Sequence, residues 1–220
     1  MARTVFGFYD LDAAPQHGLP GDLATRLGLA TETPGFVDGA VFVRSDNLAM
    51  AIQVQYGDED GWEDRGSVSI LLQAADWRSR TSDVARYRLT RQVDGDGEQV
   101  KDSTFFIVQR FVVDPNDGAS FVDAICAYTT EYARPIPGFI GGDAYTSLDG
   151  SKIVFVMPWA HEAALGSLEN RDGSLAAMQK HLRMSKQHVY ASYQRISYLR
   201  AAAPEPEREP AGSGSRRSVS

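Results

Sequence analysis

The sequence predicts an α+β fold made of two copies of one β-α-β-β-α-β unit that close on each other within a single chain. Three observations predict it. Residues 34–56 (PGFVDGAVFVRSDNLAMAIQVQY) align without a gap, at an offset of 103, with residues 137–159 (PGFIGGDAYTSLDGSKIVFVMPW). Each copy is preceded by a run rich in Val and Phe, residues 4–10 and 103–113, of the composition that suits a strand. In the second copy Phe121, Ile125, Tyr128 and Tyr132 fall at spacings of four, three and four, one face of a helix.

The elements follow in order. In the first copy residues 4–10 form a strand, and Leu23, Leu27 and Leu29 give a weaker sign of a helix. Pro34-Gly35 then ends that helix, because proline disfavours a helical residue before it and glycine accepts a left-handed turn. Two strands follow, joined at Asp46-Asn47. A second helix spans about residues 67–75, and a closing strand residues 85–93. The second copy repeats the order. Residues 103–113 are the strand, and Asp114 or Asp117 is placed to cap the helix. Pro137-Gly138 ends it, and Asp149-Gly150 is a strong hairpin signal because both residues tolerate positive φ. A helix over residues 175–186 and a strand over 189–200 complete the copy.

Such a unit is the ferredoxin-like one. It has a four-stranded antiparallel sheet, two helices on one face and the other face bare. Two units in one chain cover their bare faces by packing sheet against sheet, which predicts an intramolecular α+β barrel with a pseudo-twofold axis. The boundaries read as residues 1–95 for the first repeat and 96–202 for the second, joined through the polar stretch DGDGEQVKD. Residues 203–220 are expected to be a disordered tail. They run PEPEREPAGSGSRRSVS from Pro204, and bury too little apolar surface to offset their ordering entropy.

Composition narrows the function classes. The chain has 220 residues, with 22 basic against 29 acidic side chains and a net charge of −7. That charge argues against nonspecific binding to nucleic acid or an anionic membrane. A single cysteine, Cys126, excludes an internal disulfide framework and any site built on several thiolates, and fits a reducing, cytoplasmic setting. The N-terminus lacks the apolar core of a secretory signal, and no run reaches the roughly 20 apolar residues of a membrane span. No phosphate-binding loop, nucleophile elbow or H-E-x-x-H motif is present. None of His17, His161, His181 and His188 stands in a metal-binding spacing, so no metal is expected.

The second copy resembles the antibiotic biosynthesis monooxygenase domain. The matching pieces are the strand FFIVQRFVV, the helix ending in PGF, the Ser-Leu-Asp-Gly turn, a strand ending in Trp159, then HEAAL and HLRMSKQH. The first copy matches more loosely and has Tyr56 where the second has Trp159. Tandem chains of this kind resemble tailoring oxygenases of aromatic polyketide pathways, among them cofactor-free anthrone oxygenases and oxygenases that cleave a ring of angucycline skeletons. The same fold carries haem-degrading enzymes, aldehyde-signal isomerases and polyketide cyclases, so fold alone leaves the reaction open.

The resemblance implies an oxygenase acting on an electron-rich polycyclic aromatic polyketide, by quinone-forming hydroxylation or oxidative ring cleavage. The polyphenolic substrate is a small molecule and O₂ the co-substrate. No cofactor is bound tightly. A diffusible reduced flavin (FMNH2 or FADH2), with a flavin reductase to supply it, stays open, as does a homodimer. Deprotonation of such a substrate gives an enolate that passes an electron to O₂. The radicals combine to a hydroperoxide, which loses water. The protein supplies a base, polarising donors and an apolar slot.

Trp159, His181, Tyr145 and His188 are the catalytic candidates, and Tyr128, Trp62, Trp77 and Tyr56 the substrate-binding ones. Each has a plainer reading. Trp159 and Tyr128 suit a core, Tyr145 a sheet edge and His181 a helix surface, while His188 suits the C-terminal end of a helix. Trp62 stands in the acidic loop GDEDGWEDRG, where it suits a lid. Two other functions stay open: a cyclase or isomerase of the same fold working by acid/base chemistry without O₂, and a non-catalytic binding protein.

Overall fold

The computed structural model describes residues 3–11, 25, 27–57, 79–95, 99–101 and 104–201. Eight strands run in the order β1 (Arg3–Leu11), β2 (Phe36–Arg44), β3 (Ala49–Tyr56), β4 (Ser79–Asp94), β5 (Phe105–Val112), β6 (Gly141–Ser147), β7 (Lys152–Trp159) and β8 (Gln187–Arg200). Three helices belong to the second half: α1 (Gly118–Tyr128), α2 (Glu162–Glu169) and α3 (Ser174–Leu182). In the first half residues 27–30 are helical, and the helix expected near residues 67–75 lies outside the described residues. So do Trp62, Trp77 and the expected tail. No helix among the described residues is long and apolar enough to cross a membrane.

The strands close into an antiparallel barrel in the order β1-β3-β2-β8-β5-β7-β6-β4. Within it, β4-β1-β3-β2 and β8-β5-β7-β6 repeat one arrangement. Two seams, β2 with β8 and β4 with β6, join the halves. The halves therefore share hydrogen-bonded edges as well as faces. β4 and β8 supply this extra length at 16 and 14 residues, and both start before the strands that apolar patterning marks.

The central strands of each half, β1 and β3 and then β5 and β7, are buried on both faces. The lumen holds Phe6, Phe8 and Phe42 from the first half with Phe106, Tyr145 and Tyr193 from the second. Phe42 meets Phe106 at 5.1 Å, and Phe6 meets Tyr145 at 5.0 Å, both edge to face. On the outer face of the second sheet Ile107, Phe111, Phe155 and Trp159 pack beneath α1 and α2 with Phe121, Ile125 and Leu168. The outer face of the first half carries a separate core around Val5, Val41, Ile52 and Tyr56.

The repeated sequence marks correspond to repeated backbone. Gly35 and Gly138 of the two Pro-Gly-Phe segments have φ of 77° and 93°, a region that costs an L side chain strain. Asn47 and Gly150 have φ of 59° and 76°. Only this one residue of each hairpin turn is left-handed, not both central ones. The reason is shared: Asp46 Oδ1 accepts from Leu48 N at 2.8 Å, and Asp149 Oδ1 from Ser151 N at 3.0 Å. This local bond holds the aspartate in the ordinary region.

Two local expectations change, at the cap and the end of α1, and the helix start read at HEAAL is borne out. Asp117 is the N-cap of α1 but makes no side-chain capping bond, and Asp114 Oδ1 instead accepts from Asn116 N. α1 runs into a wide turn at Thr129–Ala133, where Thr129 Oγ1 and Thr130 Oγ1 bond back to Ile125 O and Cys126 O. HEAAL begins a helix of its own, α2, capped by His161 Nδ1, which accepts from Ala164 N at 3.2 Å.

Candidate functional site

A cavity of about 350 Å³ lies between the outer face of the second sheet and its helices. Its floor is Gln109 of β5, Met157 of β7, and His188 and Tyr190 of β8. Its roof is Tyr128 of α1, Leu165, Leu168 and Glu169 of α2, and Ser174, Leu175 and Met178 of α3. Strand alternation sets the floor. Gln109 stands opposite Tyr190 in the β5–β8 register and Phe111 opposite His188, so all four point away from the lumen.

The polar groups come in two pairs. His188 Nε2 lies 3.1 Å from Gln109 Oε1, and its ring stacks on Phe111 at 4.7 Å with a 14° tilt. Burial holds the His188 pKa below its ordinary value, so the ring is neutral near pH 7. In the tautomer that makes this bond Nε2–H donates to the Gln109 oxygen, and Nδ1 is the basic nitrogen. Gln109 is buried at 1 % exposure, and the imidazole is the partner that satisfies its oxygen. The second pair is Tyr128 Oη and Ser174 Oγ at 2.8 Å, both buried. Burial raises the Tyr128 hydroxyl, which the Ser174 bond partly offsets. The Tyr190 hydroxyl is pushed up to about 12, first by desolvation and then by the Glu169 carboxylate. The lining thus offers a neutral base, two protonated phenols, a hydroxyl and an amide, with Glu169 as its one carboxylate.

Of the residues singled out from sequence, this cavity brings together His188 and Tyr128. His181 stands one layer back. It meets the edge of the Tyr128 ring at 6.0 Å, and its buried Nδ1 has no hydrogen-bond partner among the described residues. Burial, then Lys180, holds its pKa down. Trp159 is on the same sheet face but fully buried against Phe139 at 5.1 Å, its Nε1–H without an acceptor among the described residues. It does not line the cavity. Tyr145 points the other way, into the lumen, where Gln53 Nε2 donates to its oxygen at 3.3 Å and burial pushes its hydroxyl well up. Tyr56 is fully buried in the first half, edge to face with Phe36. His188 belongs to β8 rather than to the end of a helix.

Sequence reasoning missed Gln109, Ser174 and Tyr190. Gln109 carried a signal, since it and Arg110 are the only polar residues in FFIVQRFVV. A polar side chain inside a buried strand needs a partner.

At the matching strand positions the first half carries different residues. The pairing of Arg3 with Tyr56 matches that of Phe105 with Trp159. Gly7, Tyr9, Ser82 and Val84 therefore occupy the places of Gln109, Phe111, His188 and Tyr190. A Cβ at Gly7 would sit 2.6 Å from Tyr9 Oη, so the tyrosine lies where the glutamine side chain begins in the other half.

No protein-family model matches the chain, and no curated protein matches it. Solved structures do. An anthrone oxidase-like protein superposes with a TM-score of 0.73 at 13 % identity, covering 92 % of this chain and 94 % of that one. A candidate monooxygenase from Fusobacterium nucleatum gives 0.67 at 11 %, covering 90 % and 94 %. A ferredoxin-fold protein related to antibiotic biosynthesis monooxygenases, from Listeria monocytogenes, gives 0.52 at 11 %, covering 89 % and 95 %. The chain has the fold of the antibiotic biosynthesis monooxygenase-like proteins. Within that fold its cavity lies in the second of two halves.

Proposed function

We propose that the chain is an oxygenase of electron-rich polycyclic aromatic polyketides, working on O₂ without a tightly bound metal. The observation that carries this reading is His188: a neutral imidazole fixed by Gln109 and Phe111 in the floor of an otherwise largely apolar slot. Its Nδ1 takes a proton from an anthrone or hydroquinone guest. The Tyr128 and Tyr190 hydroxyls stand on the same slot to donate to the oxygen that gains charge. The enolate then gives one electron to O₂, the two radicals combine, and the hydroperoxide loses water to the quinone. A volume of about 350 Å³ is at the small end of ligand pockets, which span about 300–1,000 Å³. It suits one polycyclic guest better than a guest and a flavin together. The similarity to an anthrone oxidase-like structure agrees with the reading.

Oxygen uptake with an anthrone, with and without reduced FMN, tests it. Enzyme-dependent uptake that His188→Ala removes supports the proposal. No uptake in either condition overturns it. Turnover of the same substrate without O₂ would favour the cyclase or isomerase reading.

A further inference from the structure

We propose that the mouth of the barrel, on the lumen side of β5 and apart from the cavity above, is a binding site for a small carboxylate held by Arg110 and Tyr87. Arg110 lies between Gln109 and Phe111, so alternation turns it into the lumen. Its guanidinium carbon stands 4.5 Å above the Phe8 ring. That ring contact satisfies none of its N–H groups, and they find no hydrogen-bond acceptor or ion-pair partner among the described residues. Arg110 is half-buried, and a partly shielded guanidinium favours an acceptor of opposite charge.

Arg110 is also among the residues lining a cavity of about 170 Å³. Two other charges there cancel, since Lys152 Nζ lies 2.6 Å from Asp83 Oδ1. One net positive charge is left. Tyr87 lines the same space at 2 % exposure, and its hydroxyl makes no hydrogen bond among the described residues. Burial keeps that hydroxyl protonated, hence a donor. The remaining walls include Val112 and Val189.

These features select the ligand. A guanidinium fork matches the two oxygens of a carboxylate. A single negative charge balances the cavity, whereas a phosphate dianion would face Asp83 with charge to spare. The valines suit a short aliphatic tail. Butyrate is therefore the probe.

Calorimetric titration of the full chain with sodium butyrate, at constant ionic strength set by chloride, is expected to give saturable one-site binding. Inorganic phosphate is expected to give none. Arg110→Gln is expected to weaken butyrate at least tenfold, the loss of a hydrogen-bonded charge. Absence of saturable binding to the unaltered protein overturns the proposal, as does phosphate binding as tightly as butyrate. Arg110→Gln that keeps its fold by circular dichroism and binds butyrate as before also overturns it. Should Arg110→Gln fail to fold, Lys152→Gln decides: it leaves Asp83 unpaired, and unchanged butyrate affinity would refute the site.

Discussion

His188 and Gln109 form one unit, and altering either separates chemistry from packing. His188→Phe keeps a flat ring against Phe111 but removes the basic nitrogen. It also strands the buried Gln109 oxygen, so unfolding should cost about 1–3 kcal/mol less, while turnover of the still-folded variant falls by about 10²–10⁴, the range of general-base effects. Retained oxygen uptake in this variant would remove His188 from the mechanism. Gln109→Leu takes the acceptor from Nε2–H and should cost about 1–3 kcal/mol in denaturant unfolding. Acid should act through the same ring. The pKa values of His188 and His181 lie below 6.5 in the folded chain, so the unfolded chain binds more protons just under that pH. Their contribution to stability is level above pH 6.5. It declines as pH drops toward the folded values and levels again below them. Thermal melts from pH 8 to pH 5 read this, and His188→Phe should flatten part of the slope.

Elements were more legible in the sequence than side-chain directions. Pro-Gly and Asp-Asn/Gly impose backbone geometry directly, so the segments around Gly35 and Gly138, and around Asn47 and Gly150, could be matched by residue type alone. Gly138→Ala should cost about 1–2 kcal/mol for the left-handed residue, with the new methyl 3.4 Å from both the Ala164 Cβ and His161 Nε2. Unchanged stability on denaturant unfolding would deny that strain. Strand faces were harder. Because β5 and β7 are covered on both sides, their sequences read as continuous apolar runs. A period of two sorts Gln109 from Arg110, and Trp159 from Pro158, without saying which set faces helices. Tyr145 was placed with the site for that reason, and the structure turns it into the lumen. HEAAL reads as a helix start, and α2 begins there, but its eight residues are brief and its cap is a histidine rather than the usual Ser, Thr or Asp.

At the scale of the molecule the barrel depends on both halves. Residues 105–201 alone would expose the free edges of β6 and β8 and the lumen faces of Phe106, Tyr145 and Tyr193. That fragment should appear in size-exclusion chromatography as an aggregate or a paired species, and a folded monomer would contradict the dependence. The covalent link has a further consequence at Gly7. Two identical chains assembled about an axis must carry every pocket in duplicate, so a change that helps chemistry in one copy is forced on the other. A fused pair is released from that symmetry. Tyr9 fills the space over Gly7 in one half, while in the other Gln109 and His188 line the cavity to which the proposed chemistry belongs. Reactivity and robustness can then be altered one at a time, by mutating opposite ends of the same gene.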